Sequence, residues 1–429
     1  MTRPVGTMVP GTAPVPGPPG RRLGRVAGTL TGHGAAPLLA LVTPLLAVPA
    51  VVHAAGATGW TSIAVGQSVG ALAAIVVSMS WPLTGPATVA AAPAADRADL
   101  YHRSLLPQLL VFTGCAPTAA LVAVLVTPGH ELAGALTAVA FAAQGLSASW
   151  FNIGTNAPWT TVRNEALTRF VATGAAAGLL FAGAALWLYP ALLLAAAAAG
   201  HLLNLRTVRA RHGVRALGGL GPATRELRAQ RAGTVARCVN AVYWTGGVTV
   251  VTALATVGAP VFAAADRVQK SALNALLALP QALIAWVGRG GAPVDTVRRY
   301  RVALLADAVL SGLAGIALWL AWPLVTELLF RGAIPAVADV RLVSAAIVAC
   351  TLLERSIVMH WLVPMGLERT YYRLGNVASV LALVVLAAVV GLATASAGLL
   401  VVLAVEATLA AVFLAAGGRE LRRLRGAVA

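Results

Sequence analysis

The sequence has 429 residues, of which 59% are hydrophobic and only 10% are charged, and its formal net charge is +17. Soluble globular domains contain about 45–50% apolar and about 25% charged residues, so this chain has too few charges to cover the surface of a soluble particle. The composition excludes a soluble enzyme and a disulfide-rich secreted domain, and it indicates an integral membrane protein.

The apolar segments predict an all-α integral membrane protein with about twelve transmembrane helices. Residues 1–33 are rich in proline and glycine, which favours a disordered cytosolic tail. A helix that spans a membrane needs about 20 consecutive apolar residues. Segments near this length fall at residues 35–55, 61–82, 104–127, 131–153, 168–188, 190–205, 238–258, 261–287, 302–323, 340–363, 374–393 and 396–417.

Most basic residues fall on one side of the predicted membrane. If the N-terminus is cytoplasmic, 26 of the 31 arginine and lysine residues lie in cytoplasmic segments, as the positive-inside rule requires. The reverse orientation violates the rule. The distribution predicts a multi-pass protein of the cytoplasmic membrane with both termini in the cytoplasm. It explains the net charge by topology. The expected partners of the basic segments are anionic membrane lipids, and no nucleic-acid partner is expected.

An internal repeat relates the two halves of the chain. A constant offset of 199 residues aligns Tyr101 with Tyr300 and Gly59 with Gly258. Each half then contains six spans in the same orientation, which predicts two pseudo-symmetric six-helix lobes around a central cavity. The predicted units are an N-terminal lobe at residues 34–205, a basic cytosolic linker at 206–237, a C-terminal lobe at 238–417 and a basic cytosolic tail at 418–429.

Ionisable residues inside the predicted spans are the functional candidates, because a charge at the bilayer centre costs at least about 2.5–3.5 kcal/mol. In the eighth span, Asp266 and Lys270 lie four residues apart on one helix face, and Arg267 is adjacent. One interpretation is a cationic strip that attracts an anionic group. The other is an Asp266–Lys270 ion pair near the end of the span, with Arg267 extending to water.

Three further carboxyl groups lie within spans of the C-terminal half. Glu354 precedes Arg355, and because neighbouring residues point about 100° apart on a helix, each should meet a partner on another element. Asp307 lies inside the ninth span and has either a functional role or a loop arginine as its partner. Glu406 lies near the middle of the last span. It is either an ion-coupling group or a neutral carboxyl bonded to a neighbouring helix.

The sequence lacks the motifs of the common membrane-associated enzymes. It contains no GxxxxGK[ST] phosphate-binding loop and no HExxH zinc motif. Its three cysteines are too far apart for a metal-binding knuckle. We therefore expect no enzymatic activity, no cofactor and no metal site.

Three segments carry a resemblance to a known group of transporters. GAPVFAAADRVQKSALNALLALPQALIAWVGRG combines a glycine-led start, a polar turn and a long span that ends in proline and a basic residue. TSIAVGQSVGALAAIVVSMSWPLTG is its first-half counterpart, and LLERSIVMHWLVPMGLERTYYRLGN leads into the eleventh span. These segments resemble the polysaccharide-biosynthesis, O-antigen-type flippases of the multidrug/oligosaccharidyl-lipid/polysaccharide (MOP) exporter superfamily. The resemblance implies two six-helix lobes, alternating access and export of lipid-linked glycans, while related members are cation-coupled drug antiporters.

The residues and the resemblance together favour a transporter of a lipid-linked oligosaccharide or polysaccharide precursor. Its pyrophosphate headgroup cannot cross hydrocarbon unaided, so we expect Arg267, Lys270 and Arg355 to bind it. Two alternatives stay open, a cation-coupled multidrug-type antiporter and a non-transporting scaffold that recruits glycan-assembly enzymes. The candidates for coupling transport to an ion are the carboxyl groups of Glu406, Asp307, Asp266 and Glu354.

Overall fold

The computed structural model describes residues 19–213, 219–255, 258–287, 293–334 and 337–426, and the regular elements in these ranges are helices. A short 3-10 turn, Ala143–Leu146, and two π-helical turns, Val162–Ala166 and Val358–Leu362, join some of them. The predicted tails are therefore described only from Pro19 and only as far as Gly426. The α-helices are α1 (Pro19–Ser78), α2 (Trp81–Ala91), α3 (Arg97–Val126), α4 (Glu131–Ala142), α5 (Ser149–Gly154), α6 (Pro158–Thr161), α7 (Leu167–Phe181), α8 (Leu188–His212), α9 (Leu220–Leu254), α10 (Ala259–Leu276), α11 (Ala278–Val287), α12 (Pro293–Phe330), α13 (Ala338–Ile357), α14 (Glu368–Leu392) and α15 (Ala395–Gly426).

Each predicted span coincides with a helical stretch. The first two spans share α1, which divides at Gly56, where φ is 60° and ψ is −159°, a conformation open essentially to glycine alone. Within the described residues, eight helical stretches are long and apolar enough by themselves to cross a membrane. Helices satisfy their own backbone hydrogen bonds in lipid. The predicted fold class, an all-α membrane protein, is confirmed.

The predicted linker at residues 206–237 is helical over most of its described length. α8 extends to His212, and α9 begins at Leu220. Arginine, alanine and leucine dominate this segment and are good helix formers, so both helices continue beyond their apolar parts. The α9 extension also contacts the first lobe, because Arg103 of α3 donates to Glu226 at 3.0 Å.

The internal repeat is visible in the packing of the two lobes. In each lobe the third span packs against the fourth, α3 against α4 and α12 against α13. Tyr101 of α3 is buried, with its ring centre 6.5 Å from that of Trp150 at the end of the fourth span. Tyr300 of α12 is buried beside Trp361 at the end of the tenth span, whose indole N–H donates to the Tyr300 carbonyl oxygen at 2.8 Å. The aligned tyrosines therefore occupy equivalent places.

The aligned glycines do not occupy equivalent places. Gly258, with φ of 86°, begins α10, but Gly59 lies inside a helix and the turn before the second span is made by Gly56. The turn in the first half therefore comes three residues earlier than the constant offset predicts. Connections between helices tolerate insertions and deletions more readily than the helices themselves.

The largest cluster of buried apolar side chains joins the two lobes. Trp60 of α1 contacts Phe330 of α12 with ring centres 5.7 Å apart, and both side chains are fully buried. Trp60 follows the Gly56 turn and Phe330 ends α12, so both lie at the end of the bundle remote from the chain termini. The lobes are thus packed together at that end.

Two glycines allow α1 to approach α4 closely. A Cβ atom on Gly66 would lie 2.4 Å from the carbonyl oxygen of Gly134, and one on Gly70 would lie 2.5 Å from that of Ala138. These helix backbones are therefore in direct contact.

We expect Gly66→Ala to lower the free energy of unfolding by about 1–3 kcal/mol, because the α4 backbone must shift. Gly114→Ala is the matched control, since a Cβ atom there meets nothing within 4 Å and alanine favours a helix over glycine by up to about 1 kcal/mol. Thermal unfolding of the purified protein in detergent measures both changes. Equal stability of the two variants would contradict the close contact.

The even number of predicted spans places both chain ends on one side of the membrane. Reporter domains fused after Gly213 and after Gly426 should both report the cytoplasm, because the basic segments remain on that side. A fusion after Gly129, in the connection between α3 and α4, should report the opposite side. A cytoplasmic signal from the third fusion, or a periplasmic one from either of the others, would overturn the topology.

Candidate functional site

A cavity of about 580 Å³ lies inside the first lobe. Helices α1, α4, α7 and α8 form its walls, together with the turns that precede α5 and α7 and one residue of the second lobe, Arg267 of α10. Binding pockets for small ligands measure about 300–1,000 Å³, so this cavity is a candidate site. Its polar lining is formed chiefly by Gln67, Gln144, Ser147, Glu165, Arg169, Tyr189, His201 and Arg267.

Two guanidinium groups, those of Arg169 and Arg267, line this cavity together with the Tyr189 side chain. Arg169 donates to Gln144 Oε1 at 2.7 Å, and its guanidinium carbon lies 5.0 Å from the centre of the Phe141 ring. The buried Nε of Arg267 has no hydrogen-bond partner among the described residues. Among the residues that the structure describes, no carboxylate lies within salt-bridge distance of Arg169 or Arg267. The cavity therefore presents two positive charges to a bound molecule.

Glu165 lines the same cavity but is already engaged by donors of the protein. Its Oε2 accepts a hydrogen bond from the Ser147 hydroxyl at 2.5 Å. Its Oε1 accepts from the Ala148 N–H at 3.1 Å and from Asn204 Nδ2 at 2.6 Å. Three donors stabilise the carboxylate in place, so Glu165 has little remaining capacity to bind a cationic ligand.

A network of buried asparagines holds Asn204, and therefore Glu165, in position. Asn204 Oδ1 accepts from Asn164 Nδ2 at 3.1 Å and from Asn152 Nδ2 at 3.4 Å. Asn152 belongs to α5, Asn164 to the π-helical turn before α7, and Asn204 to α8. The network thus fastens three elements of the first lobe together beside the cavity.

A second cavity, of about 280 Å³, lies inside the second lobe. Glu354 and Arg355 of α13 and Glu406 of α15 line it, together with aromatic side chains of α9. The Arg355 guanidinium carbon lies 4.4 Å from the centre of the Trp244 ring. Glu406 is only 1% exposed, and its Oε2 accepts from the Thr351 hydroxyl at 3.0 Å. This cavity therefore combines two carboxyl groups with one guanidinium.

The structure does not bring the three predicted headgroup residues together. Arg267 lines the first cavity and Arg355 the second. Lys270 donates to Asp266 at 2.7 Å, with their side chains 30% and 24% exposed, which is the ion pair considered as the second interpretation of this span. Neither Lys270 nor Asp266 is among the residues that line the two cavities.

Asp307 pairs with a histidine and not with a loop arginine. Its Oδ2 lies 2.7 Å from Nδ1 of His360, which belongs to the π-helical turn after α13. Nε2 of His360 lies 2.9 Å from the carbonyl oxygen of Pro280 in α11. Asp307 and His360 are both buried, and neither lines the two cavities.

Several residues of the first cavity escape prediction from the sequence. The positive-inside count places Arg169 in a cytoplasmic segment, but α7 carries it into the cavity. Gln67 and Tyr189 lie in largely apolar runs and give no signal beyond their polarity. Glu165 and Arg169 lie four residues apart at the edge of a span, a spacing that places both on one helix face and that could have identified them.

No protein-family model matches the chain, and no curated protein sequence matches it. Solved structures do share its fold. An inward-facing structure of a multidrug resistance MATE family transporter of the MOP superfamily is 12% identical, with a TM-score of 0.62, over 91% of this chain and 96% of that chain. An outward-facing structure of such a transporter is 12% identical, with a TM-score of 0.50, over 96% of this chain and 97% of that chain. The chain therefore shares the fold of these transporters.

Proposed function

We propose that the protein is an alternating-access transporter that moves an anionic, lipid-linked oligosaccharide or polysaccharide precursor across the cytoplasmic membrane. The proposal rests on the first cavity, where Arg169 and Arg267 lie without an ion-pairing carboxylate among the described residues. Two guanidinium groups in a medium of low dielectric repel each other, and an anion placed between them relieves this repulsion. Guanidinium forks suit phosphate oxygens, so the pair suits a pyrophosphate.

The position of the two arginines connects binding to movement of the lobes. Arg169 belongs to α7 of the first lobe, and Arg267 belongs to α10 of the second. If the lobes rock against each other, the distance between the guanidinium groups changes and the affinity for an anion changes with it. A site shared in this way supports alternating access, as does the likeness of the fold to transporters.

The lining of the first cavity suits a headgroup attached to a lipid. Leu39, Phe141 and Leu193 are apolar members of a wall that also carries the arginines. Its volume of about 580 Å³ holds a phosphate-bearing headgroup and not a polymer. The prenyl chain of such a substrate can stay in the bilayer while the headgroup enters the protein.

The second cavity favours a second candidate, a cation-coupled multidrug-type antiporter, in which Glu354 and Glu406 would contact a cationic substrate. Two observations weigh against this candidate. Arg355 shares the cavity with both carboxyl groups, and the volume of about 280 Å³ is at the lower limit for a drug-sized ligand. A non-transporting scaffold is disfavoured as well, because it needs no polar cavity in either lobe.

Within the proposed transporter, the carboxyl groups of the second cavity couple transport to a proton or another cation. Glu406 is deeply buried and bonded to Thr351 of a neighbouring helix, so a change in its charge must alter the packing of α13 and α15. Asp266 and Lys270 neutralise each other in this conformation and are not assigned to either task.

The exposed basic residues support a location in the cytoplasmic membrane. Arg419, Arg422 and Arg423 are exposed near the end of α15, where they can attract anionic lipid headgroups. Enzymes that assemble the glycan are the proposed protein partners on this side of the membrane, because they supply the substrate there.

Transport by proteoliposomes that contain a fluorescent prenyl-pyrophosphate-linked sugar tests the headgroup site. Arg169→Ala and Arg267→Ala should each slow transport at least about tenfold, because a hydrogen bond to a charged group contributes about 1.5–3 kcal/mol. The lysine variants should be less affected, since they keep the charge but lose the fork. Arg341→Ala is the control, because the guanidinium carbon of this half-buried arginine lies 4.0 Å from the centre of the Trp319 ring and the residue lines neither cavity.

The same vesicles separate the two candidate functions. A glycan carrier should transport the sugar lipid and should not transport cationic dyes. A multidrug-type antiporter should transport the dyes and not the sugar lipid, and removal of Arg267 should leave its dye transport unchanged or increase it. Sugar-lipid transport that is unchanged in both alanine variants would overturn the assignment of the first cavity.

Glu406→Gln tests ion coupling. The Thr351 hydroxyl can donate to the amide oxygen as it does to the carboxylate, so the variant should fold and insert normally. Net transport should slow about tenfold or more and lose its dependence on external pH, because an amide does not exchange a proton. Glu327→Gln, at an exposed position in α12, is the control. A Glu406→Gln protein with the wild-type rate and pH response would identify Glu406 as a packing residue.

A further inference from the structure

The contact between Asp307 and His360 joins three helical elements of the second lobe. Asp307 lies on α12, His360 in the π-helical turn after α13, and His360 also reaches the Pro280 carbonyl on α11. Their side chains are 1% and 0% exposed. We call this group, formed by Asp307, His360 and the Pro280 carbonyl, the clamp.

The hydrogen bonds of the clamp determine how many protons it holds. A carbonyl oxygen can only accept, so Nε2 of His360 must carry a hydrogen to bond to Pro280 at 2.9 Å. Nδ1 then faces Asp307 Oδ2 at 2.7 Å, and without a hydrogen between them two lone pairs would repel each other. One further proton therefore lies between Asp307 and His360, either as a carboxylic acid with a neutral imidazole or as a carboxylate with an imidazolium.

We propose that Asp307 and His360 share a single proton that fastens α11 to α12 and α13, and that this proton must leave before these helices can separate. The clamp is electrically neutral in both of its proton arrangements, which is consistent with its burial in a region that excludes water. The existence of the clamp does not depend on the identity of the transported substrate, whereas the role of the clamp in a transport cycle rests on the proposed function.

The hydrogen bonds and the ion pair described at the clamp involve no ionisable side chain other than Asp307 and His360. The sequence of α11 contains no ionisable residue, and on α12 the nearest ones, Tyr300 and Arg301, precede Asp307 by more than one turn. Several ionisable side chains described on the other packed elements are engaged elsewhere. Glu354, Arg355, Tyr371 and Glu406 line the second cavity, Arg267 lines the first, Asp266 pairs with Lys270, and the His53 ring contacts that of Phe181.

The clamp also differs from a saturated structural network. The second oxygen of Asp307 is buried and has no hydrogen-bond partner among the described residues, and the same is true of the hydroxyl groups of Ser311 and Ser356. Ser311 lies one turn after Asp307 on α12, and Ser356 lies one turn before His360. Buried polar groups in folded proteins rarely lack hydrogen-bond partners. The contact between α12 and α13 is therefore suited to a site that changes its hydrogen bonds.

Asp307→Asn tests the shared proton without removing the clamp. The amide N–H can donate to Nδ1 of a neutral His360 while Nε2 still donates to Pro280, so the hydrogen bonds remain but no proton can leave between them. Asp339→Asn is the matched control, because Asp339 is exposed at the start of α13.

The first measurement is the folding stability of the protein as a function of pH. If Asp307 and His360 share a proton in the folded protein above about pH 6.5, where a free histidine has lost its own, the folded wild type binds one more proton than the unfolded chain. Its folding equilibrium constant should then fall roughly tenfold per pH unit, and that of Asp307→Asn should not. Thermal unfolding in detergent, without substrate, from about pH 7 to about pH 9 should show the wild type and Asp339→Asn losing stability relative to Asp307→Asn. Parallel curves for all three proteins would overturn the shared proton.

Nitrogen NMR of ¹⁵N-histidine-labelled wild type provides a measurement that does not depend on a variant folding. His360 is assigned by the signal that disappears in His360→Gln. Its Nε2 should keep a hydrogen from about pH 5 to about pH 9, a range in which free imidazoles titrate. A His360 signal that titrates as a free imidazole, or that shows no hydrogen on Nε2, would contradict the clamp.

The role in transport is tested separately in proteoliposomes. Asp307→Asn should still bind the prenyl-pyrophosphate sugar but should turn over at least about tenfold more slowly, because its clamp cannot open by losing a proton. Turnover at the wild-type rate would refute the release step and leave the shared proton intact. Failure of the wild type to transport any sugar lipid would overturn the proposed function, while the stability and NMR results would still decide whether the clamp exists.

Discussion

A charge inside hydrocarbon must be balanced within the protein, and the interior of this chain is arranged around that requirement. Lys270 is balanced by Asp266, and Asp307 by His360. Glu165 is held by three neutral donors. Arg169 and Arg267 give the first cavity its character, because no carboxylate in the described part of the chain forms an ion pair with either of them. The site is recognised by a charge that the protein itself leaves unbalanced.

The two lobes share an architecture but differ in their chemistry. The equivalent contacts of Tyr101 with Trp150 and of Tyr300 with Trp361 show that the same packing is used twice. The cavity of the first lobe is dominated by guanidinium groups, and that of the second by carboxyl groups with one guanidinium. The two halves therefore share a frame, and in the proposed transporter the residues that line their cavities divide substrate binding from ion coupling.

The fold was predictable from the sequence to a greater extent than the site. Long apolar runs and the distribution of arginine locate the spans, because the bilayer acts on each segment separately. The equivalence of Tyr101 and Tyr300 follows from the same local regularity. The assignment of Arg355 and Arg267 to different cavities depends on how the lobes pack, and no property of either span encodes it. The position of Arg169 in the cavity was not predictable for a related reason. From the sequence alone, a charged residue at the edge of a span is assigned to a loop, and only the packing of the neighbouring helices shows that it lines a cavity.

The π-helical turn Val162–Ala166 determines the direction in which charged side chains of the first lobe point. Such a turn contains one more residue than an α-helical turn, and one residue corresponds to a rotation of about 100° around the helix axis. Glu165 lies within the turn and Arg169 follows it directly on α7. A continuous α-helix through the same sequence would direct α7 side chains toward a different neighbour. The polarity of the cavity thus depends on helical phase as well as on composition, and a one-residue deletion in this turn would direct Arg169 away from Arg267 without changing any charged residue.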